Sequence, residues 1–311
     1  SSRFYDASTN FHPILEEADL VIVHEWTDAS VIRQLNELKP RYTYRLLFHD
    51  THHRSVTAPE QIDRLDLSNY DGVLAFGEVV RDLYLEKRWT ERAWVWHEAA
   101  DTNIFRALTP SRLSGDLVWI GNWGDDERTA ELDEFLIDPV RRLGLNATMY
   151  GVRFPDEAKK LLEESGITYG GYLPSWQVPT VLSTYRFTVH IPRRAYSQTL
   201  PGIPTIRPFE ALACGIPLIS SPWEDREQLF RIGDDFLMVR DGDEMEQAMK
   251  RVMEDEELAG QLRRSGLETI RNHHTCSHRA DQLLEICNRE LSLSSEPNRT
   301  RSINQPDISS L

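Results

Sequence analysis

Absences narrow the field first. No apolar run approaches the roughly 20 residues that cross a bilayer, so no membrane span is expected. Cysteine is scarce: Cys214, Cys276 and Cys287 are the whole supply. An odd count without framework spacing excludes a disulfide scaffold and points to a reducing, cytoplasmic setting. Basic charge is in the minority, with 35 Lys and Arg against 50 Asp and Glu and a net charge of −15. That balance argues against nucleic acid or an anionic membrane as partner, while leaving room for a local basic pocket. There is no internal repeat, and the opening Ser1-Ser2-Arg3-Phe4 lacks the layout of a secretory signal. Nothing in the sequence speaks to oligomeric state.

What is present is ordinary globular material, 40% hydrophobic and 27% charged over 311 residues, enough for two domains. Short apolar runs alternate with helical periods, the pattern of parallel α/β construction. Strands are expected at 18–24, 44–48, 72–76 and 93–96, with helices over 29–38 and 79–87 between them. The stretch 102–115 has no period and carries Pro110, Ser111, Ser114 and Gly115, which reads as a linker. A second series follows, with strands at 116–121, 147–150, 187–191 and 217–220 and a helix after Asp241-Gly242. We therefore expect a first Rossmann-like domain with its linker over 1–111, a second over 112–291, and a disordered Ser-, Asn- and Pro-rich tail over 292–311. The first domain lacks the opening strand and Gly-rich turn of a full doubly wound unit; either the chain is truncated or its opening differs.

The most informative stretch is Pro208-Phe209-Glu210-Ala211-Leu212-Ala213-Cys214-Gly215-Ile216-Pro217-Leu218-Ile219. Pro208 suits the first helical position, Gly215 the left-handed residue that ends a helix, and Leu218-Ile219 a buried strand. Glu210 then falls on the first turn, beside unpaired N–H groups that attract phosphate. Two readings are open: a carboxylate that merely complements the helix dipole, or one that holds a pair of sugar hydroxyls.

Other constellations cluster just beyond expected strands, where doubly wound sheets bind ligands. His49-Asp50-Thr51-His52-His53-Arg54 follows the second strand. Asp50, His52, His53 and Arg54 are candidates for acceptor contacts or proton transfer; metal ligation and a solvated loop without function are the alternatives. Gly121-Asn122, at the end of another strand, lets backbone approach a ligand closely, and Arg128 offers a planar fork to a diphosphate or an ion pair to Asp125 or Glu131. Arg193 and Arg194, with Arg207, bring further guanidinium groups toward Glu210. Tyr169-Gly170-Gly171-Tyr172-Leu173-Pro174 permits close approach at two glycines, or is a plain connection with a core tyrosine. His273-His274-Thr275-Cys276-Ser277-His278 lacks the paired spacings of a zinc site, and Thr275 or Ser277 suits a helix N-cap.

The run Arg207 to Pro217 resembles the nucleotide-sugar motif of GT-B glycosyltransferases, in particular the group-1 and spore-protein CgeB-like families. The resemblance implies two Rossmann-like domains facing across a cleft. It also implies transfer of a sugar from a nucleotide-diphosphate sugar to an acceptor it does not identify, with retention and without a bound metal or other cofactor. By the same match Glu210 holds the donor ribose, His49 contacts the transferred sugar, and Tyr172 with Leu173 lies at the base. Two departures stand out. Asn122 replaces the first of two basic residues of which Arg128 is the second, and Gly202 stands where the pattern has a second glutamate. The missing acid at Gly202 and the missing opening strand favour an alternative, a non-catalytic nucleotide- or sugar-binding protein of a spore coat or surface polymer. A hydrolase or epimerase of nucleotide sugars, with Asp50 as its acid, is a third reading.

Overall fold

The computed structural model describes residues 3–124 and 127–291; the tail expected at 292–311 lies outside them. Two parallel sheets organise the chain. The first contains β1 (Leu20–His24), β2 (Arg45–Asp50), β3 (Gly72–Ala75) and β4 (Ala93–Val95), hydrogen-bonded in that order. Helices α1 (Ala29–Leu38) and α2 (Glu78–Glu86) connect them. In α1 the apolar residues Val31, Ile32 and Leu35 fall at the helical period and are buried.

The second sheet holds β5 (Gly115–Ile120), β6 (Ala147–Tyr150), β7 (Ile167–Gly171), β8 (Tyr185–His190), β9 (Leu218–Ser220) and β10 (Leu237–Met238). Its spatial order is β7-β6-β5-β8-β9-β10, all parallel. The chain thus winds outward one way through β7 and then the other way through β10. The reversal lies between β5 and β8, where Leu117 pairs with Phe187 and Val118 with Thr188. At such a switch point the connections leave in opposite directions and open a crevice. Separate apolar clusters fill the two faces of this sheet.

Helix α3 (Ile206–Ala213) carries the Glu210 motif. It starts two residues before Pro208, at the turn after Thr205, which corrects the expected register. Pro208 is the third helical residue, where the missing N–H is still one of those without an intrahelical partner, and Glu210 falls on the second turn. The end is as read: Gly215 has φ +65°, and a Cβ there would meet Leu267 at 2.9 Å. Two further corrections concern strands. β2 continues through His49 and Asp50 rather than ending at Phe48, and Tyr169 to Gly171 belong to β7 rather than to a turn.

Helices α4 (Gly242–Glu254), α5 (Glu256–His273) and α6 (Cys276–Glu285) complete the chain. Thr275 caps α6 through a reciprocal pair with His278. The last helix returns to the first sheet. Ile286, Cys287 and Leu291 pack with Leu47 of β2 and Leu74 of β3, and the Trp96 indole N–H donates to the Arg279 carbonyl at 2.8 Å. Leu200 and Ile203, from the loop before α3, are also buried in the first-sheet core. The expected division at 111/112 falls between β4 and β5, but residues from beyond it pack into the first-sheet core. Among the described residues, no helix is long and apolar enough to cross a membrane.

Candidate active site

A cavity of about 270 Å³ lies at the switch point of the second sheet. Gly121 and Asn122 follow β5, His190 ends β8 and Arg193 follows it, and Thr205 and Arg207 open α3; all six line it, together with His52 from the loop after β2. Three guanidinium groups converge here. Arg128 is buried, lies 4.9 Å from the centroid of the Trp119 ring, and donates to the carbonyls of Asn122, Trp123 (3.4 Å) and Ile191 (2.9 Å). Burial, then the neighbouring Arg193 and Arg207, bring its pKa down to about 9, still cationic at neutrality. Its expected alternative partner Glu131 is bound instead by Arg194 at 2.6 Å, and Asp125 lies outside the described residues. Arg193 pairs with Glu127 at 3.1 Å.

Arg207 pairs with Glu210 one turn along α3. Burial raises the Glu210 carboxyl above its ordinary range although Arg207 opposes the shift. Glu210 lines a smaller adjoining cavity of about 20 Å³, which shares Ile120, Val189 and Arg207 with the larger one. His190 anchors the rim. Its two ring nitrogens meet Ser220 Oγ (2.9 Å) and Thr205 Oγ1 (3.0 Å), and full burial lowers its pKa to about 3, so the ring is neutral.

The first sheet presents a different rim. His24-Glu25 ends β1, His49-Asp50 ends β2, and His97-Glu98 follows β4. His49 sits between His24 and Trp96, with ring centroids 5.4 and 4.7 Å away. Burial, then His24, lowers it to about 4. Asp50 points inward: it is buried and accepts from the Tyr84 hydroxyl (3.0 Å) and the His52 backbone N–H (3.0 Å). Burial raises it to about 6 against those bonds. Its carboxyl is thus engaged inside the chain, and Asp50 is the last residue of β2 rather than part of a loop. Glu25 accepts from Thr51 Oγ1 at 2.9 Å, and burial raises it too. Glu98 is raised to about 7 by burial and by the charges of Glu25 and Glu210, so the two rims feel one another. His53 is buried, with Nδ1 2.8 Å from Thr57 Oγ1.

A carboxylate also joins the sheets. Glu227, from the loop after β9, lies 2.6 Å from His97 Nε2 and accepts the Glu78 N–H at 2.8 Å, at the start of α2. Gly202 has φ +90°, and a Cβ there would come within 2.9 Å of Glu227. At the position where the resemblance has a second glutamate, a side chain would strain the backbone and displace Glu227, and that other carboxylate stands against it.

The family model described as glycosyl transferase-like matches residues 128–285, just over half of the 311. This chain belongs to that family. Comparison of the sequence with curated proteins found none that matches. Similar solved structures include sucrose-phosphate synthase from Thermosynechococcus elongatus, with TM-score 0.65 and 15% identity over 89% of this chain and 74% of that one. Anabaena HepE in complex with UDP has TM-score 0.67 and 14% identity over 87% and 78%. TarM from S. aureus, in a complex that includes UDP, has 0.63 and 11% over 89% and 57%. The glycosyl transferase-like chain thus spans about three quarters of the first two and little over half of the third. At these identities the likeness establishes the fold, two Rossmann-like units in the GT-B arrangement.

Of the residues singled out from the sequence, Gly121, Asn122, Arg128, Arg193, Arg207 and His52 share the switch-point cavity of this glycosyl transferase-like protein. Glu210 adjoins it. Tyr172 does not join them: it is 72% exposed and lines neither cavity, while Leu173 packs on a core cluster with Ile120 and Ile206. Glu25, Glu98, His190, Tyr196 and Glu227 went unread. The first two had a signal, since each is an acid next to a histidine just past an apolar run.

Proposed function

We propose that this chain transfers a sugar from a nucleotide-diphosphate sugar to an acceptor, with retention and without a bound metal. The observation that carries the reading is the convergence of Arg128, Arg193 and Arg207 on a cavity at the switch point of a doubly wound sheet. Preorganised guanidinium groups there stabilise the charge that grows on a leaving diphosphate, and the rigid carbonyl anchoring of Arg128 means little reorganisation is needed during reaction. The UDP held by the solved HepE and TarM complexes supports a nucleoside diphosphate as the leaving group. In this reading Glu210 receives the ribose hydroxyls, Gly121 and Asn122 approach the phosphates through backbone, and Tyr172 and Leu173 flank the base. The neutral His49 contacts the transferred sugar, and His52, His53 and Arg54 lie on the acceptor side. The cavity arginines, with glycine at 202 in place of an acid, support the CgeB-like branch, and three free cysteines support a cytoplasmic setting.

Gly202 also favours a second reading, a non-catalytic binder. One experiment addresses both. Thermal unfolding is followed with UDP, GDP, ADP, TDP and CDP and their sugars, for the wild type and Glu210→Ala. One nucleotide should stabilise the wild type by about 2–3 kcal/mol at 100 times its Kd, and the mutant should lose that gain. Without ligand the mutant should stay within about 1 kcal/mol, because the buried carboxyl it removes already costs desolvation. If no nucleotide stabilises the folded chain, the donor site assigned here is wrong. Binding without transfer to any acceptor would leave the second reading.

A further inference from the structure

We propose that Trp26, His52 and Arg54 form a subsite for a sugar bearing a carboxylate or phosphate group, and that the acceptor belongs to this anionic class. The subsite stands on its own geometry; only the word acceptor rests on the proposed transfer. Trp26 follows β1 and is 63% exposed, although most aromatic rings of the chain are packed. The Arg54 guanidinium lies 4.3 Å from the centroid of its ring, and the His52 ring meets it edge-on at 4.9 Å. A flat indole fixed by a stacked cation offers its remaining face to the apolar face of a sugar ring, and the guanidinium beside it offers a fork for an oxyanion.

Arg54 meets the charge of the buried Glu25 carboxyl at a distance rather than in an ion pair. The chain has 50 acidic residues, yet among the described residues Arg54 has no carboxylate at ion-pair distance. Among the described residues its one side-chain hydrogen bond runs from Nη2 to the Glu25 carbonyl at 3.0 Å. Arg54 Nε and His52 Nδ1 are both buried without a hydrogen-bond partner. The nearby acids are buried: Glu25 accepts from Thr51 through Oε1 and has His24 Nδ1 2.8 Å from Oε2, and Asp50 accepts from Tyr84. Burial, then His53, Arg54 and Arg193, together lower His52 to about 4, as expected where positive charge has gathered. An oxyanion drawn against the Arg54 fork, with a small turn of that side chain, supplies the missing acceptor. His52 also lines the donor cavity, so a sugar held here lies next to the place where a donor would react.

The test is titration of the full chain with methyl glucuronide, glucose 6-phosphate and methyl glucoside by ligand-observed NMR, for the wild type, Trp26→Ala, Arg54→Gln and Arg54→Lys. At least one anionic sugar should bind about tenfold or more tighter than methyl glucoside, and the tighter of the two names the anion. Arg54→Gln should bring that ratio near one, Arg54→Lys should keep part of it, and Trp26→Ala, at an exposed position, should weaken all three. Equal binding of neutral and anionic sugars overturns the proposal. So does a preference that survives Arg54→Gln, since the anion is then held by Arg128, Arg193 or Arg207. Nucleotide binding is measured on the same samples. Its absence beside an intact anionic preference refutes the donor reading alone.

Discussion

The two rims of the cleft handle charge in opposite ways. On the second sheet the ionic groups that face the cavity are mainly arginines, and the most buried of them, Arg128, is satisfied by backbone carbonyls. Its charge is permanent. On the first sheet, histidine and acid alternate at the strand ends, and burial pushes the acids up and the histidines down until both approach neutrality. One wall holds a fixed field, and the other holds groups whose protonation the surroundings decide. The same desolvation acts on both; what differs is whether the ion can give up its charge within the ordinary pH range.

Arg128→Met should break the contrast most severely. It leaves the carbonyls of Asn122, Trp123 and Ile191 without their donor, so stability should fall by about 2–4 kcal/mol. The loss, read from urea unfolding, should be the same at pH 5 and pH 8. An unchanged midpoint would mean that this rim is held by other contacts.

Asp50→Asn should behave differently. The folded pKa of about 6 lies above the ordinary 3.8, so between these values the folded chain keeps a proton that the unfolded chain has released. Stability from this group is therefore lost as pH rises from about 4 to 6, and the Asn variant escapes that loss. Relative to wild type it should gain on the order of 1–3 kcal/mol across this window. His49, lowered to about 4, works in the reverse sense and adds stability as pH rises through 4 to 6.5. A flat pH difference for Asp50→Asn would place its carboxylate in a solvated setting. The smallest effect is expected on neither rim: Tyr172→Ala should change stability by less than about 0.5 kcal/mol, checked in the same titration, because its ring is largely in water.

Much of the second rim was legible because its parts are contiguous. One stretch of a dozen residues holds the helix, its glycine stop and the next strand, and the strand-final Gly121 and Arg193 follow apolar runs. The register of α3 was misread because Pro208 is tolerated throughout the first turn, and the proline alone does not choose among those positions. The first rim was harder. His49 and Asp50 look like a polar loop, but the polar pair stays in the β2 ladder because Asp50 finds Tyr84, 34 residues away. Glu227 follows Glu224 and Asp225 in an acidic stretch, and what sets it apart comes from His97, 130 residues distant. Trp26 carries no signal beyond being aromatic after a strand.

The return of the last helix to the first sheet bears on the order in which this chain is made. Leu47 and Leu74 are covered by Ile286, Cys287 and Leu291, among the last described residues to leave a ribosome. At 5–20 residues per second, the apolar face of the finished first sheet waits on the order of ten seconds for its cover. The N-terminal strands are synthesised first, and the domain they build is completed last.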